Sequence, residues 1–138
     1  MTARADSESW RLMRALVLDR DAGRREVSEA LGMSFGKIKA LRRIASLGPL
    51  PMRELAAELG SDPPYTTVLV DDLEARGLAQ RTAHPHDRRA KLVSVTAEGR
   101  RIARRAEAIL ARPPAGFAKL SDAEMAELCR LLALAAGS

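Results

Sequence analysis

The feature that most constrains the fold lies between Leu78 and Gly99, in the stretch LAQRTAHPHDRRAKLVSVTAEG. Two short segments rich in apolar and β-branched residues, 78–81 and 92–95, flank a ten-residue connection that contains Pro85. Two such segments joined by a polar connection with a turn residue are typical of a β-hairpin. The sequence therefore predicts a hairpin whose tip carries the basic run DRRAK.

Positive charge is concentrated on this hairpin and just after it. Eight basic and two acidic side chains lie between residues 81 and 105, a balance of +6, whereas the whole chain carries +5. Local positive charge on a protruding element favours a polyanionic partner, with nucleic acid first and an anionic membrane surface second. Aromatic residues make up only 3% of the chain, which argues against a stacking surface for single-stranded nucleic acid.

The residues before the hairpin carry the pattern of two short helices joined by a tight turn. The first helix is expected over 52–59 and ends at Gly60. Asp62 is a good N-cap for the second helix, and Pro63 occupies its first position, where a missing N–H costs nothing. Two helices joined in this way are typical of a helix-turn-helix. On the second helix, the inner face is predicted to carry Tyr65, Val68 or Leu69, and Leu73.

A basic hairpin directly after such a pair predicts a winged helix-turn-helix, in a fold that is mainly α with a small β-hairpin wing. The N-terminal region is expected to form one long helix over 7–31, although Gly23 could divide it in two. The remaining helix signals are Ser7 as N-cap and Gly32 as the residue after the first helix, Ser34 and Gly48 at the ends of the next, Thr96 before a long helix, and a capping box of Ser121 and Glu124 before the last.

The N-terminal end of the chain predicts a dimer, and the C-terminal end is compatible with one. The N-terminal helix has apolar residues only near its ends and cannot bury itself well alone, so a second copy of the chain is the expected partner. The last helix carries a narrow stripe that is either core or dimer interface, formed by Met125, Leu128, Leu132 and Ala135. Cys129 lies beside this stripe and is expected to be a buried small hydrophobe.

On these residues the chain resembles the MarR family of bacterial winged-helix transcription regulators. The run Asp87-Arg88-Arg89-Ala90, continued to Val95-Thr96 and Gly99, carries most of the resemblance. Supporting stretches are Glu54-Leu55-Ala56, Leu69-Val70-Asp71, and Leu73-Glu74-Ala75-Arg76-Gly77-Leu78 with Arg81. The match extends over about residues 30–110.

The resemblance implies a homodimer held by helices from both termini, here about 7–32 and 96–137 of a single 1–138 domain. It implies a DNA-binding lobe over about 34–95, with the recognition helix in the major groove and the wing in the minor groove. Such proteins typically repress nearby genes and are released by small aromatic or phenolic ligands or by thiol oxidation. A pseudo-palindromic double-stranded site follows from two-fold symmetry.

The predicted DNA-contact residues lie on the recognition helix, the wing and the helix before them. They are Tyr65, Thr66, Thr67, Arg81, Arg88, Arg89, Lys91 and Arg53. The threonine hydroxyls would read base edges, and Arg89 would enter the narrow minor groove of A·T-rich DNA. Asp87 is expected to orient the wing loop.

One feature disagrees with DNA binding by this helix. From Asp62 to Arg76 the helix carries a net charge of −3, and Val68 and Asp72 stand where the family often has basic or amide residues. Much of the attraction to DNA must then come from elsewhere, such as the wing or the basic run 33–53, for which a solvated helix face is the simpler interpretation. The acidic helix also keeps open a second reading, a basic winged-helix module that binds a protein partner or DNA without sequence preference.

Other candidate sites are weaker. Trp10, Met13 and Phe35 form a candidate effector pocket, with core packing as the simpler interpretation. His84 and His86 could bind a metal with Asp87, but no third histidine exists, so solvated or phosphate-contacting loop histidines are favoured. No catalytic constellation stands out, and we expect neither enzymatic activity nor a cofactor. One cysteine and no apolar leader or membrane-spanning run predict a cytoplasmic protein.

Overall fold

The structure, a computed structural model, describes residues 3–17 and 21–137. The described elements are, in chain order, α1 Ala3–Val17, α2 Asp21–Leu31, α3 Phe35–Leu47, β1 Leu50–Pro51, α4 Met52–Leu59, α5 Pro63–Ala75, β2 Ala79–His84, β3 Asp87–Val95, α6 Ala97–Leu110, a 3-10 helix Ala115–Lys119, and α7 Asp122–Ala136. The predicted fold class, mainly α with a small wing and a winged helix-turn-helix, is confirmed. None of the described helices has the length and apolar character needed to cross a bilayer.

The chain divides into two compact units. Helices α1 and α7 belong to the first unit, and α2 to α6 with the sheet form the second, residues 19–111. The second unit has a continuous apolar core in which several large side chains are fully buried: Val27, Ile38, Leu41, Ile44, Leu55, Val70, Leu73 and Val93. This core holds the helix-turn-helix and the base of the hairpin in fixed positions.

The N-terminal region differs from the prediction. Two helices, α1 and α2, occupy the region for which one long helix is predicted, and residues 18–20 between them lie outside the described residues. Ser7 is not an N-cap, because α1 begins at Ala3. Gly23 lies inside α2 and not at a break. The two helices differ in burial, since Val27 of α2 is part of the core of the second unit whereas the large apolar side chains of α1 are exposed.

The hairpin is longer and its turn is tighter than predicted. Strands β2 and β3 pair antiparallel over Ala79↔Val95 to Ala83↔Lys91, and only Pro85 and His86 separate them. The prediction of a ten-residue connection is wrong because charged residues continue the ladder on an exposed ribbon, where apolar periodicity is absent. The two-residue strand β1 pairs with β3 and completes a three-stranded sheet in the order β1-β3-β2.

The start of α6 is packed tightly against the end of the helix-turn-helix. As predicted, Thr96 caps α6, because its hydroxyl accepts the N–H of Gly99 at 3.0 Å, and the same hydroxyl donates to the carbonyl of Gly77 at 2.7 Å. The carbonyl of Leu78 accepts the N–H of Thr96 at 3.1 Å. A Cβ atom on residue 99 would lie 1.9 Å from that carbonyl oxygen. Only glycine therefore fits at position 99.

We expect Gly99→Ala to destabilise the protein by about 2 kcal/mol or more, because the added methyl group meets backbone that cannot move without separating α6 from the hairpin. Urea titration followed by circular dichroism measures the change. Gly116→Ala is the control, since a Cβ atom there meets nothing within 4 Å. Equal stability of the two variants would contradict the packing described here.

Candidate nucleic-acid interface

The turn between α4 and α5 is built as the sequence predicts. Gly60 has a φ of +61°, a conformation that glycine adopts without strain, and it ends α4. Asp62 caps α5, because its side chain accepts the N–H of Tyr65 at 2.8 Å. Pro63 is the first residue of the helix. These local signals fix where α5 begins.

The inner face of α5 is formed by Thr66, Leu69, Val70 and Leu73, which follow the i, i+3, i+4, i+7 spacing of a buried helix face. Tyr65 is 50% exposed, so its predicted placement on the inner face is wrong, whereas of the two alternatives Val68 and Leu69 the buried residue is Leu69 and Val68 is 59% exposed. The sequence pattern was ambiguous because valine and leucine are neighbours at 68 and 69. The burial of Leu69 in the structure resolves it and leaves Val68 as an exposed apolar residue outside the predicted contact set.

Thr66 does not belong to the exposed surface. It is 1% exposed, and its hydroxyl bonds to the carbonyl of Asp62 at 2.9 Å and to the hydroxyl of Ser61 at 2.8 Å. Its assignment as a base-contacting residue is therefore wrong, because a satisfied hydroxyl inside the helix-turn-helix reaches no external group. Thr67 is exposed, and its hydroxyl donates to the carbonyl of Pro63 at 3.0 Å.

The acidic residues of α5 are paired within the chain. Asp72 accepts from Arg76 at 2.6 Å and lies 3.4 Å from the ammonium group of Lys37 on α3. Asp71 and Glu74 both bind Arg81 on β2, the former at 2.7 Å. Three cations thus face the three carboxylates of α5, while Asp62 serves as the cap. Arg76 is already included in the net charge of −3 counted along the helix, so the two cations from neighbouring elements, Lys37 and Arg81, reduce that charge to −1.

Arg81 is correspondingly a structural residue. Its side chain is 22% exposed and bridges two carboxylates on the adjacent helix. Burial lowers the pKa of its guanidinium group, but the hydrogen bonds to Asp71 and Glu74 outweigh this effect and raise the pKa overall. Its assignment as a DNA contact stays a prediction, and a phosphate would have to compete with both carboxylates for its guanidinium group.

The wing residues are arranged differently. Arg88, Arg89 and Lys91 are exposed, and none of them forms an ion pair within the described part of the chain. The carboxylate of Asp87 accepts the backbone N–H of Arg89 at 3.0 Å, which supports its expected role in orienting the wing. These cations therefore remain available to an external anion.

A groove of about 490 Å³ lies between the wing and the start of α4. Its basic lining residues are Arg53, Arg89 and Lys91, together with His84 and the carboxylate of Asp87. Arg53 is exposed and, like the wing cations, has no ion-pair partner among the residues described. The structure thus brings the predicted residues Arg53, Arg89 and Lys91 to one groove, although 36 residues or more separate Arg53 from the other two in the sequence.

The histidines and the cysteine have simple surroundings. Nδ1 of His84 accepts the N–H of His86 at 3.0 Å and so supports the turn. The described residues contain no group of three side chains that could hold a metal ion. Cys129 is exposed, so the prediction that it is buried is wrong for the single chain, since none of the described residues of α7 is buried.

The candidate effector pocket stays a prediction. Trp10 and Met13 are exposed on α1, in the first compact unit. Phe35 is partly buried at the start of α3 in the second unit, where the guanidinium carbon of Arg24 lies 5.0 Å from its ring centre. Phe35 therefore packs against the core of the second unit and also supports a cation–π contact.

Comparisons with known proteins agree with this fold. The model of the MarR family matches residues 34–91. An uncharacterised HTH-type transcriptional regulator, YfiV of Bacillus subtilis, is 34% identical over 85 residues, which are 60% of this chain; the chain spans about half, 53%, of that relative. Wild-type apo MarR from E. coli is 25% identical, with a TM-score of 0.74 and coverage of 88% of this chain and 91% of the other. A mutant E. coli MarR complexed with operator DNA is 25% identical, with a TM-score of 0.65 and coverage of 88% and 89%.

We expect Asp72→Asn to lower the free energy of unfolding at pH 7 and to flatten its acid dependence. The hydrogen bond from Arg76 keeps the pKa of Asp72 below its ordinary value of 3.8, against a smaller opposing effect of burial, and Lys37 adds to the lowering. A carboxyl group with a lowered pKa stabilises the fold above its ordinary pKa and loses this contribution as the pH falls through the folded value.

Urea titrations at pH 7, 4 and 3 measure this dependence. Glu58→Gln is the control, because Glu58 is exposed on α4 and forms no ion pair within the described ranges. A wild-type pH profile in the Asp72→Asn protein would show that the pairing of Asp72 with Arg76 and Lys37 contributes nothing to folding.

Proposed function

We propose that this chain, whose residues 34–91 match the model of the MarR family, is a member of that family: a homodimeric transcription regulator that binds double-stranded DNA sequence-specifically and acts as a repressor. The observation that carries the proposal is the groove in which Arg53, Arg89 and Lys91 meet without ion-pair partners in the part of the chain that the structure describes. A relative that shares the fold is found with operator DNA. Response to a small aromatic or phenolic effector remains a prediction from the family resemblance.

The charges of α5 and those of the wing support this proposal in different ways. The carboxylates of α5 are held by Lys37, Arg76 and Arg81, so the helix approaches DNA with its acidic side chains already paired. The unpaired cations of the wing and α4 can then neutralise phosphates and release condensed counterions. These contacts supply affinity and orientation, whereas base contacts and groove shape supply specificity.

The alternative, a basic module without sequence preference, draws its support from the acidic recognition helix. That support weakens once the acidic charges are seen to be paired within the chain. Selection of bound duplexes from a random library separates the two functions, because a regulator enriches one pseudo-palindromic sequence and a non-specific module enriches none. Half-sites about 10 base pairs apart, centre to centre, are expected for a two-fold symmetric protein.

The proposed dimer is supported by exposed apolar side chains in the first compact unit. Neither α1 nor α7 has a buried residue among those described, yet both carry large apolar side chains. Trp10, Leu12 and Leu131 are all about half exposed, and Leu134 is 70% exposed. Apolar surface of this kind on a charged, water-soluble helix is usually covered by a partner. A second copy of the chain is the proposed partner, as the resemblance implies.

We expect Arg89→Ala to abolish specific binding to the selected duplex in a mobility-shift assay and to leave the dimer intact, because the side chain lies on an exposed wing. Arg101→Ala is the matched control: Arg101 is also exposed but is paired with Glu98 of its own helix at 2.5 Å. Unchanged affinity of the Arg89→Ala protein across a salt series would contradict the assignment of the wing.

A second expectation concerns the dimer itself. Leu134→Glu should produce a monomer in sedimentation velocity, because a carboxylate would be buried without a partner at the proposed interface. Glu127→Gln, on the same helix, should remain dimeric. The helical circular dichroism signal distinguishes dissociation from unfolding. A dimeric Leu134→Glu protein would exclude this part of α7 from the interface.

A further inference from the structure

The exposed face of α5 offers few hydrogen-bond donors. The helix reads PPYTTVLVDDLEA and contains no Arg, Lys, Asn or Gln, the residues that recognise guanine or adenine through paired hydrogen bonds. The hydroxyl hydrogen of Thr67 is used by the carbonyl of Pro63. The hydroxyl of Tyr65 lies beside the N-terminal turn of α3, where it would be 3.0 Å from a Cβ atom on Gly36. The helix therefore has few donors with which it could recognise a DNA base by a hydrogen bond.

The acceptors on the same helix are occupied as well. Asp71 accepts from Arg81, and Asp72 is held by Arg76 and Lys37. A carboxylate can recognise the amino group of cytosine, but only if it is free to turn towards the base. Glu74 is likewise bound to Arg81. The polar side chains that remain are thus committed to holding α5 against α3 and β2.

What the face does present is apolar. Val68 is 59% exposed and contributes nothing to the core, which the inner residues of α5 already fill. Thr67 precedes Val68 and is also exposed. Its hydroxyl donates to the carbonyl of Pro63, and its methyl group takes no part in that hydrogen bond. In the major groove of DNA the C5-methyl group of thymine is the apolar feature available to such side chains.

We propose that Val68 and Thr67 select thymine in each half-site through its C5-methyl group, so that α5 reads methyl groups and not a hydrogen-bond pattern. The proposal rests on the function proposed above. Its chemical consequence is specific: 5-methylcytosine, which carries a methyl group at the same ring position, should be accepted better than cytosine where thymine is preferred. Reading by Arg89 is independent of this group, because A·T and A·U pairs present the same acceptors in the minor groove.

The test uses the full-length protein and the duplex enriched by selection. Each thymine of the half-site is replaced in turn by deoxyuridine, which removes only the methyl group. At the contacted positions affinity should fall about fourfold per methyl group, and about fifteenfold when both half-sites are changed. At the same positions 5-methylcytosine should bind more tightly than cytosine. Uniform affinity across all these duplexes would overturn the proposal.

Two pairs of variants locate the contact. Thr67→Val keeps the methyl group and should keep the preference for thymine over uracil, whereas Thr67→Ser keeps the hydroxyl and should weaken it. Val68→Ala should bring the ratio of affinities for thymine and uracil close to one at the position that Val68 contacts. Because Val68 is exposed, the stability of the protein should be preserved. Lys91→Ala is the matched control, since loss of an exposed wing cation should lower affinity equally for thymine and uracil duplexes. If the losses of binding free energy caused by Val68→Ala and by uracil simply add at every position, the proposal is also overturned.

The outcomes distinguish the proposed regulator function from the recognition of methyl groups by α5. If selection enriches no sequence, the proposed sequence-specific function is overturned and methyl reading with it. If selection enriches a palindrome whose recognition is insensitive to uracil, the regulator function stands and methyl reading by α5 is overturned. Enrichment together with uracil sensitivity that disappears in Val68→Ala supports both.

Discussion

The second compact unit depends on the backbone around Leu78, where three elements meet. The N–H of Leu78 donates to the carbonyl of Leu73 at the end of α5, and its own carbonyl accepts from Thr96 at the end of β3. The absence of a side chain at Gly99 allows α6 to begin directly against that carbonyl. A single residue thus couples the recognition helix, the hairpin and the following helix. Because all three are fixed at one point, the wing has a defined position relative to the helix-turn-helix.

The position of the hairpin beside α5 also decides which of its cations form ion pairs within the chain and which can bind an external anion. Arg81 lies three residues beyond Leu78 on β2, close enough to bind Asp71 and Glu74 of α5. Further along the hairpin, beyond the reach of those carboxylates, Arg89 and Lys91 have no ion-pair partner in the described ranges. Position along the ribbon therefore decides which cations stabilise the fold and which can meet a polyanion. This division accounts for an acidic helix inside a protein with a basic wing.

Local signals in the sequence were sufficient for most of the fold. Caps at Ser34, Asp62, Thr96 and Ser121 were predicted correctly because capping depends on a hydrogen bond between residues three apart. The winged helix-turn-helix followed from the order of these elements. The failures were non-local: β1 is too short to carry a periodic pattern, and the charged ladder of the hairpin has no apolar alternation to reveal it. The burial of Thr66 could not be predicted either, because it depends on the phase of α5 against its neighbours.

The sequence by itself determined the fold class, four of the helix caps, the basic character of the wing and the resemblance to one family of regulators, since each depends on neighbouring residues or on composition. Only the tertiary structure decided the role of each charge and each face of α5. Arg81 and Arg89 are eight positions apart on one hairpin and look alike in the sequence, yet one is bound to two carboxylates and the other is unpaired within the described residues. The physical reason is that electrostatic interactions depend on distance in space, and the packing of α5 against β2 sets that distance.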